Sequence, residues 1–205
     1  MTATNYATGA EIKTYLLQHK DQIFSEWDAE TTEIYLFLRD ELRKGPILDN
    51  TLFKFIFRSF YHMDNRSVTE AFDQRFFSIM DKQLASPNLP NLTTITYDLY
   101  QVKNKNNNPS MQFPLVTNMA NTIHPNFPTY TPEVAKLFTF TSTKHLSGFY
   151  KKMKRFIEQY RYLHRTYVQL ALDPDIQVLL NQIDVDLPLF KKVDSLVFEA
   201  SKLAN

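Results

Sequence analysis

Apolar residues recur along most of this chain in steps of three and four, the spacing that lines one face of an α-helix. The longest run joins Phe149, Met153, Phe156, Tyr160, Leu163, Tyr167 and Leu170, and predicts a long amphipathic helix. Near the N-terminus, Ile12, Leu16, Ile23 and Phe24 follow Thr8 and Glu11. Thr8 with Glu11 is a capping box, in which each side chain satisfies an N–H group that the helix start leaves orphaned. Ile34, Phe37, Leu38 and Leu42 predict a second helix over 32–44, which Gly45-Pro46 stops. The stretch LFKFIFRSFYHM, at 52–63, is apolar around nearly its whole circumference. It predicts a core helix capped by Asp49. Ser67 and Glu70 repeat the capping-box spacing and open a helix that buries Phe72, Phe76, Phe77 and Met80.

Residues 86–92, SPNLPNL, end that helix. The next run, LTTITYDLYQV at 92–102, carries the β-branched and aromatic residues of a strand, but Ile95, Leu99 and Val102 keep helical spacing and favour a helix. KNKNNNPS, at 103–110, is the clearest exposed loop. In HPNFPTYTPEVAKLF, Pro125 and Pro128 end one helix and hold an extended crossing. Thr131 then caps the next helix, Pro132 takes its first position and Glu133 complements its dipole. Asp173-Pro174 turns the chain into another short helix, and Asp186 and Pro188 start a last one burying Leu189, Val193, Leu196 and Val197. Only three glycines are present, with none between Gly45 and Gly148, which disfavours a hairpin-rich fold. The expected fold class is all-α, a two-part helical domain of about eight to ten helices. Residues 1–205 read as one domain, with halves 1–103 and 110–205 joined by the loop.

Composition narrows the chemistry. With no cysteine, disulfides, thiolate metal sites and cysteine nucleophiles are all excluded. No signal-like N-terminus and no apolar run of roughly 18–20 residues is present, so a cytoplasmic protein without a membrane partner is expected. The five histidines, His19, His62, His124, His145 and His164, are scattered without ligand spacing, and no metal site is expected. A phosphate loop needs glycines, and a nucleophile elbow needs a glycine ahead of Ser147-Gly148; both are missing. Asp184 and Asp186 read as helix caps rather than an acid–base pair. No cofactor and no catalytic residue is marked by these patterns.

Charge adds one asymmetry. The net charge is +1, yet Lys144, Lys151, Lys152, Lys154, Arg155, Arg161 and Arg165 face Glu158 alone within 144–165. Such a run is either a solvated helix face or a surface for a polyanion, DNA or RNA, with Tyr150 and Tyr162 placed to stack on bases. The aromatic 53–63 stretch could also stack, but aromatic residues at that density are more simply core. The alternative to nucleic acid is a helical interaction or regulatory module with a protein partner or a homo-oligomeric state.

Residues 113–138, FPLVTNMANTIHPNFPTYTPEVAKLF, resemble a motif in a family of uncharacterised bacterial all-helical proteins, and FKFIFRSFYHMDNRSVTEAFDQRFFSIM resembles that family's N-terminal half. His124 and Tyr130 match the family pattern. The motif is in turn similar to the catalytic region of helix-hairpin-helix base-excision DNA glycosylases. That resemblance implies a site with a lysine nucleophile at the start of one helix and an aspartate at the cap of the next, attacking a flipped nucleotide. Here Asn118 stands at the lysine position and Thr131 at the aspartate position. An amide nitrogen forms no imine, and a hydroxyl carries no charge to stabilise a cationic sugar. MQFPLVT also lacks the glycines with which the hairpin grips the DNA backbone. The resemblance implies the scaffold, and these residues argue against the reaction.

Overall fold

The computed structural model describes residues 6–64 and 68–204, and everything in them is helix or loop. There are eleven helices among the described residues, one more than the upper expectation, and no strand beyond an isolated bridge between Lys103 and Pro109. The chain forms two compact units: one takes residues through Asp28 and from Pro125 onward, the other Ala29–His124. None of the described helices is long and apolar enough to cross a membrane.

In the first unit, α1 (Gly9–Gln18) opens at the expected capping box, with Thr8 and Glu11 bonding each other's backbone N–H groups. The chain then breaks at His19, whose ring bonds the Tyr15 carbonyl, and resumes as α2 (Lys20–Ser25). The apolar spacing carries no sign of this break, which accounts for one of the additional helices. α8 (Pro132–Leu137), α9 (Phe149–Leu172), α10 (Pro174–Leu180) and α11 (Leu189–Leu203) complete the unit. α11 packs against α2, α8, α9 and α10, so it is the central element. It buries Val193, Leu196 and Val197 as expected, but Leu189 is exposed. Its N-cap is Pro188, without a side-chain bond, so Asp186 does not cap it.

The second unit comprises α3 (Ala29–Glu41), α4 (Thr51–Phe60), α5 (Glu70–Leu84), α6 (Leu92–Tyr100) and α7 (Phe113–Ile123). The ambiguous 92–102 run is therefore helical, with Asn91 as its cap. α3 lies three residues N-terminal of its expected span and buries Thr32, Tyr35 and Leu38, leaving Ile34 and Phe37 half-buried. The cap of α4 is Asn50, not Asp49: its carbonyl oxygen accepts the Phe53 N–H while its amide donates to Glu41. The cap of α5 is Thr69, and Ser67 lies outside the described residues.

The enclosed helix of this unit is α7, not the phenylalanine-rich α4. α4 buries Phe53 and Phe57 against Phe76 and Phe77 of α5, but Leu52 and Phe55 are 55% and 61% exposed. α7 instead is buried at every position except Pro114, packed by α3, α5 and α6. Its small and short side chains let neighbours close in from all sides, and its hydroxyls turn back onto its own carbonyls: Thr117 to Pro114 and Thr122 to Asn118, both at 2.8 Å. Arg39 donates to the last carbonyls of α7, those of Thr122 and Ile123, where a cation complements the helix dipole. The 103–110 loop lies within this unit, folded over Asn104, whose side chain accepts the N–H groups of Asn106 and Asn108.

Candidate nucleic-acid interface

α9 starts at Gly148, whose φ of +78° lies in the left-handed region that side-chain-bearing residues resist. From there 24 residues run unbroken to Leu172. The predicted stripe turns inward: Phe149, Met153, Phe156, Tyr160, Leu163, Tyr167 and Leu170 are all buried. Polar side chains on this inner face lace α9 to the proline-rich crossing. Gln159 accepts the Tyr130 hydroxyl and donates to the Thr141 carbonyl, both at 2.8 Å, and Tyr160 donates to the Pro128 carbonyl at 3.0 Å. Burial raises the pKa of Tyr130, Tyr160 and Tyr167 above the ordinary phenol range, so all three stay protonated; Tyr130 and Tyr160 donate as described, while the Tyr167 hydroxyl is buried without a partner among the described residues.

The outer face carries the charge. Lys151, Lys154, Arg155, Glu158, Arg161, Tyr162 and Arg165 are each three or four residues from another of the set, so they share one side of the helix. From Lys151 to Arg165 this row is about 21 Å long at 1.5 Å per residue. Lys152 lies on the flank of the helix and is half-buried, and Lys144 lies exposed in the loop before it. Arg155 meets Glu158 at 3.7 Å. Among the described residues, Lys144, Lys151, Lys152, Lys154, Arg161 and Arg165 form no ion pair. Six cations are therefore unneutralised by protein, which is the condition under which a surface attracts polyanions.

Beside the C-terminal part of the row is an open groove of about 800 Å³, lined by Tyr6, Tyr160, Tyr162, Arg161 and Arg165, with Glu158 and His164 completing its walls. Tyr6 reaches it because the chain ahead of α1 is pinned: the Ala7 N–H bonds the Phe138 carbonyl and Thr139 Oγ1, at 3.1 and 2.9 Å, and the Tyr162 hydroxyl donates to the Ala7 carbonyl at 3.0 Å. Thr139 holds a φ of +53°, in the left-handed position that closes α8 with a Phe140 N–H to Ala135 carbonyl bond. Tyr6 and Tyr162 meet edge to face at 5.3 Å, and the Arg165 guanidinium sits 6.0 Å from the Tyr162 ring centre. Burial lowers the pKa of His164, so at neutral pH the positive charge of the groove comes from its two arginines. Tyr6 and His164 were not legible as site residues, since nothing local links residue 6 to side chains at 158–165; Tyr162 and both arginines were.

The two glycosylase-motif positions are placed otherwise. Thr131 is a cap, its hydroxyl accepting the Val134 N–H at 3.2 Å, as its sequence context predicts. Asn118 lies on α7 in the other unit, 5% exposed, with its side-chain oxygen buried and without a hydrogen-bond partner. Neither is among the residues lining the groove. No group of three or more histidine, aspartate or glutamate side chains is arranged to hold a metal among the described residues. Comparison of the chain with protein-family models, with curated proteins and with solved structures finds no match.

Proposed function

We propose that this chain is a nucleic-acid-binding protein that uses the outer face of α9 and does no glycosylase chemistry. The carrying observation is the row Lys151, Lys154, Arg155, Arg161 and Arg165 on the outer helix face, of which only Arg155 meets a carboxylate among the described residues, Glu158 at 3.7 Å. Lysines and arginines so placed neutralise phosphates and release counterions, which drives binding without base contacts. The resemblance of 113–138 to helix-hairpin-helix glycosylases supports a DNA-directed scaffold of that type. Asn118 and Thr131 argue against the reaction, one being a buried amide and the other a helix cap. The test is fluorescence anisotropy of labelled oligonucleotides at low salt, on the whole chain. Four or so phosphate contacts predict a slope of log affinity against log salt of about −3 to −4. Absence of binding at tens of micromolar protein in low salt, where non-specific affinity is tighter than its ~1–100 µM range at physiological salt, sinks the reading.

A second reading rests on the apolar surface of α4 and the turn just ahead of it. Leu48, Leu52 and Phe55 are 42%, 55% and 61% exposed in one short region, the kind of patch that protein partners cover. It supports an interaction module or homo-oligomer instead of, or beside, nucleic-acid binding. Light scattering that reports a strict monomer, with Phe55→Ser leaving its behaviour unchanged, excludes the homo-oligomer.

A further inference from the structure

We infer that the groove of Tyr6, Tyr162, Arg161 and Arg165 takes an unpaired nucleotide of a polynucleotide, so the ligand of the basic face is single-stranded rather than intact duplex. The inference rests on the nucleic-acid reading above and adds the strand state to it.

The phosphate row by itself does not distinguish strand states, because duplex and single strand both present phosphates. The groove does. Its volume of about 800 Å³ falls in the range of sites for small organic ligands, and it adjoins the row. Tyr6 and Tyr162 are both half-exposed. Every ring contact they make, with each other, with Phe138 and with Phe140, is edge to face, at interplanar angles of 65° to 84°. By contrast Tyr130 is stacked flat on Phe140 at 5°. Neither groove tyrosine has a parallel partner among the described residues, the arrangement in which a planar base can be added. In a duplex both faces of each base are occupied by neighbours, so only an unpaired base has a face to offer.

The charges set the direction. Arg161 is exposed and Arg165 sits over Tyr162, and neither pairs with a carboxylate among the described residues, while Glu158 stands on the same wall. A phosphate is repelled from Glu158 and drawn to the two arginines, which leaves the base toward the tyrosines. His164, held neutral by burial, contributes hydrogen bonds rather than charge.

The test compares a labelled 12-nucleotide mixed-sequence single strand with its duplex, by anisotropy on the full chain at matched salt. Wild type binds the single strand about 5- to 100-fold more tightly, the range that stacking of one base supplies. Tyr6→Ala and Tyr162→Leu reduce that ratio by a similar factor, with thermal unfolding by circular dichroism checking that each variant is folded. A second measurement needs no variant: a single strand carrying 5-iodouracil is photocrosslinked to wild-type protein and the adduct mapped by mass spectrometry. Adducts on Tyr6 or Tyr162 support the inference. Equal affinity for both strand states, or adducts confined to other residues, overturns it and leaves the nucleic-acid reading standing. Displacement by free thymidine monophosphate at the oligonucleotide's own affinity also overturns it, in favour of a small-nucleotide site. Binding of neither strand state overturns the groove and the nucleic-acid reading together.

Discussion

α9 and α11 pack against each other in the same unit and carry similar basic residues, with opposite fates. Each lysine of α11 is held by protein: Lys191 meets Asp194 at 2.8 Å, Lys192 donates to the Ile183 carbonyl at 2.7 Å, and Lys202 meets Glu199 at 2.7 Å. On the outer face of α9, Lys151, Lys154, Arg161 and Arg165 meet no carboxylate among the described residues. The first set is structural. Lys191 and Asp194 are 8% and 1% exposed, and Asp194 also accepts the N–H and hydroxyl of Thr129, which ties the proline-rich crossing to α11. In the second set the described contacts are limited to Arg165 over the Tyr162 ring, and no carboxylate among the described residues offsets the self-repulsion of the four cations. The lesson is that positive charge marks a binding surface only after internal pairing has been subtracted.

The comparison breaks most readily at Asp194. Asp194→Ala removes the carboxylate that the buried Lys191 meets and the acceptor of two Thr129 donors, and is expected to cost about 3–5 kcal/mol in urea unfolding. A loss below about 1 kcal/mol would place Lys191 with the α9 cations rather than apart from them. The converse variant is Lys151→Ala with Arg161→Ala. Stability should stay within about 0.5 kcal/mol of wild type, while the salt slope of oligonucleotide binding falls by about two. An unchanged slope means that these cations touch no phosphate.

Smaller effects sharpen the same division. Thr131→Ala removes a cap bond and should cost about 1 kcal/mol, with oligonucleotide affinity unchanged, since the Thr131 hydroxyl is engaged in capping α8. An affinity change there would return Thr131 to the site. His164 gives the smallest signal. Burial lowers its folded pKa beneath the ordinary 6.5, so below about pH 6.5 the unfolded chain binds more protons and the folded state loses stability. Wild type and His164→Gln should therefore differ by a constant amount above pH 7, and wild type should lose ground as the pH falls. A pH-independent difference in melting temperature would show that His164 does not titrate with folding.

Much of the local structure was legible. The caps at Thr8 and Thr131 each depend on a side chain bonding an N–H group three residues away, and both are found; Asp173-Pro174 opens a short helix as expected, with Asp173 as its cap. The α9 stripe was legible because steps of three and four place residues on one face whatever the surroundings. Where local readings failed, a neighbour distant in sequence decided. α4, rich in phenylalanine, looked central, yet α7, with Asn118, Asn121, Thr117 and Thr122, is the helix enclosed on all sides. Polar residues can sit there because Tyr61, Tyr35 and the helix's own carbonyls supply partners for Thr122 and its neighbours.

By itself, then, the amino-acid sequence determined the helical class, most helix starts and stops, and the clustering of cations near residue 155, all of which follow from spacing and nearest neighbours along the chain. Only the tertiary structure decided which helix is enclosed, which lysines are neutralised, and that Tyr6 stands beside Tyr162. Those depend on contacts such as Ala7 to Phe138 and Thr129 to Asp194, between residues 131 and 65 positions apart, and periodicity holds no information about partners at that distance.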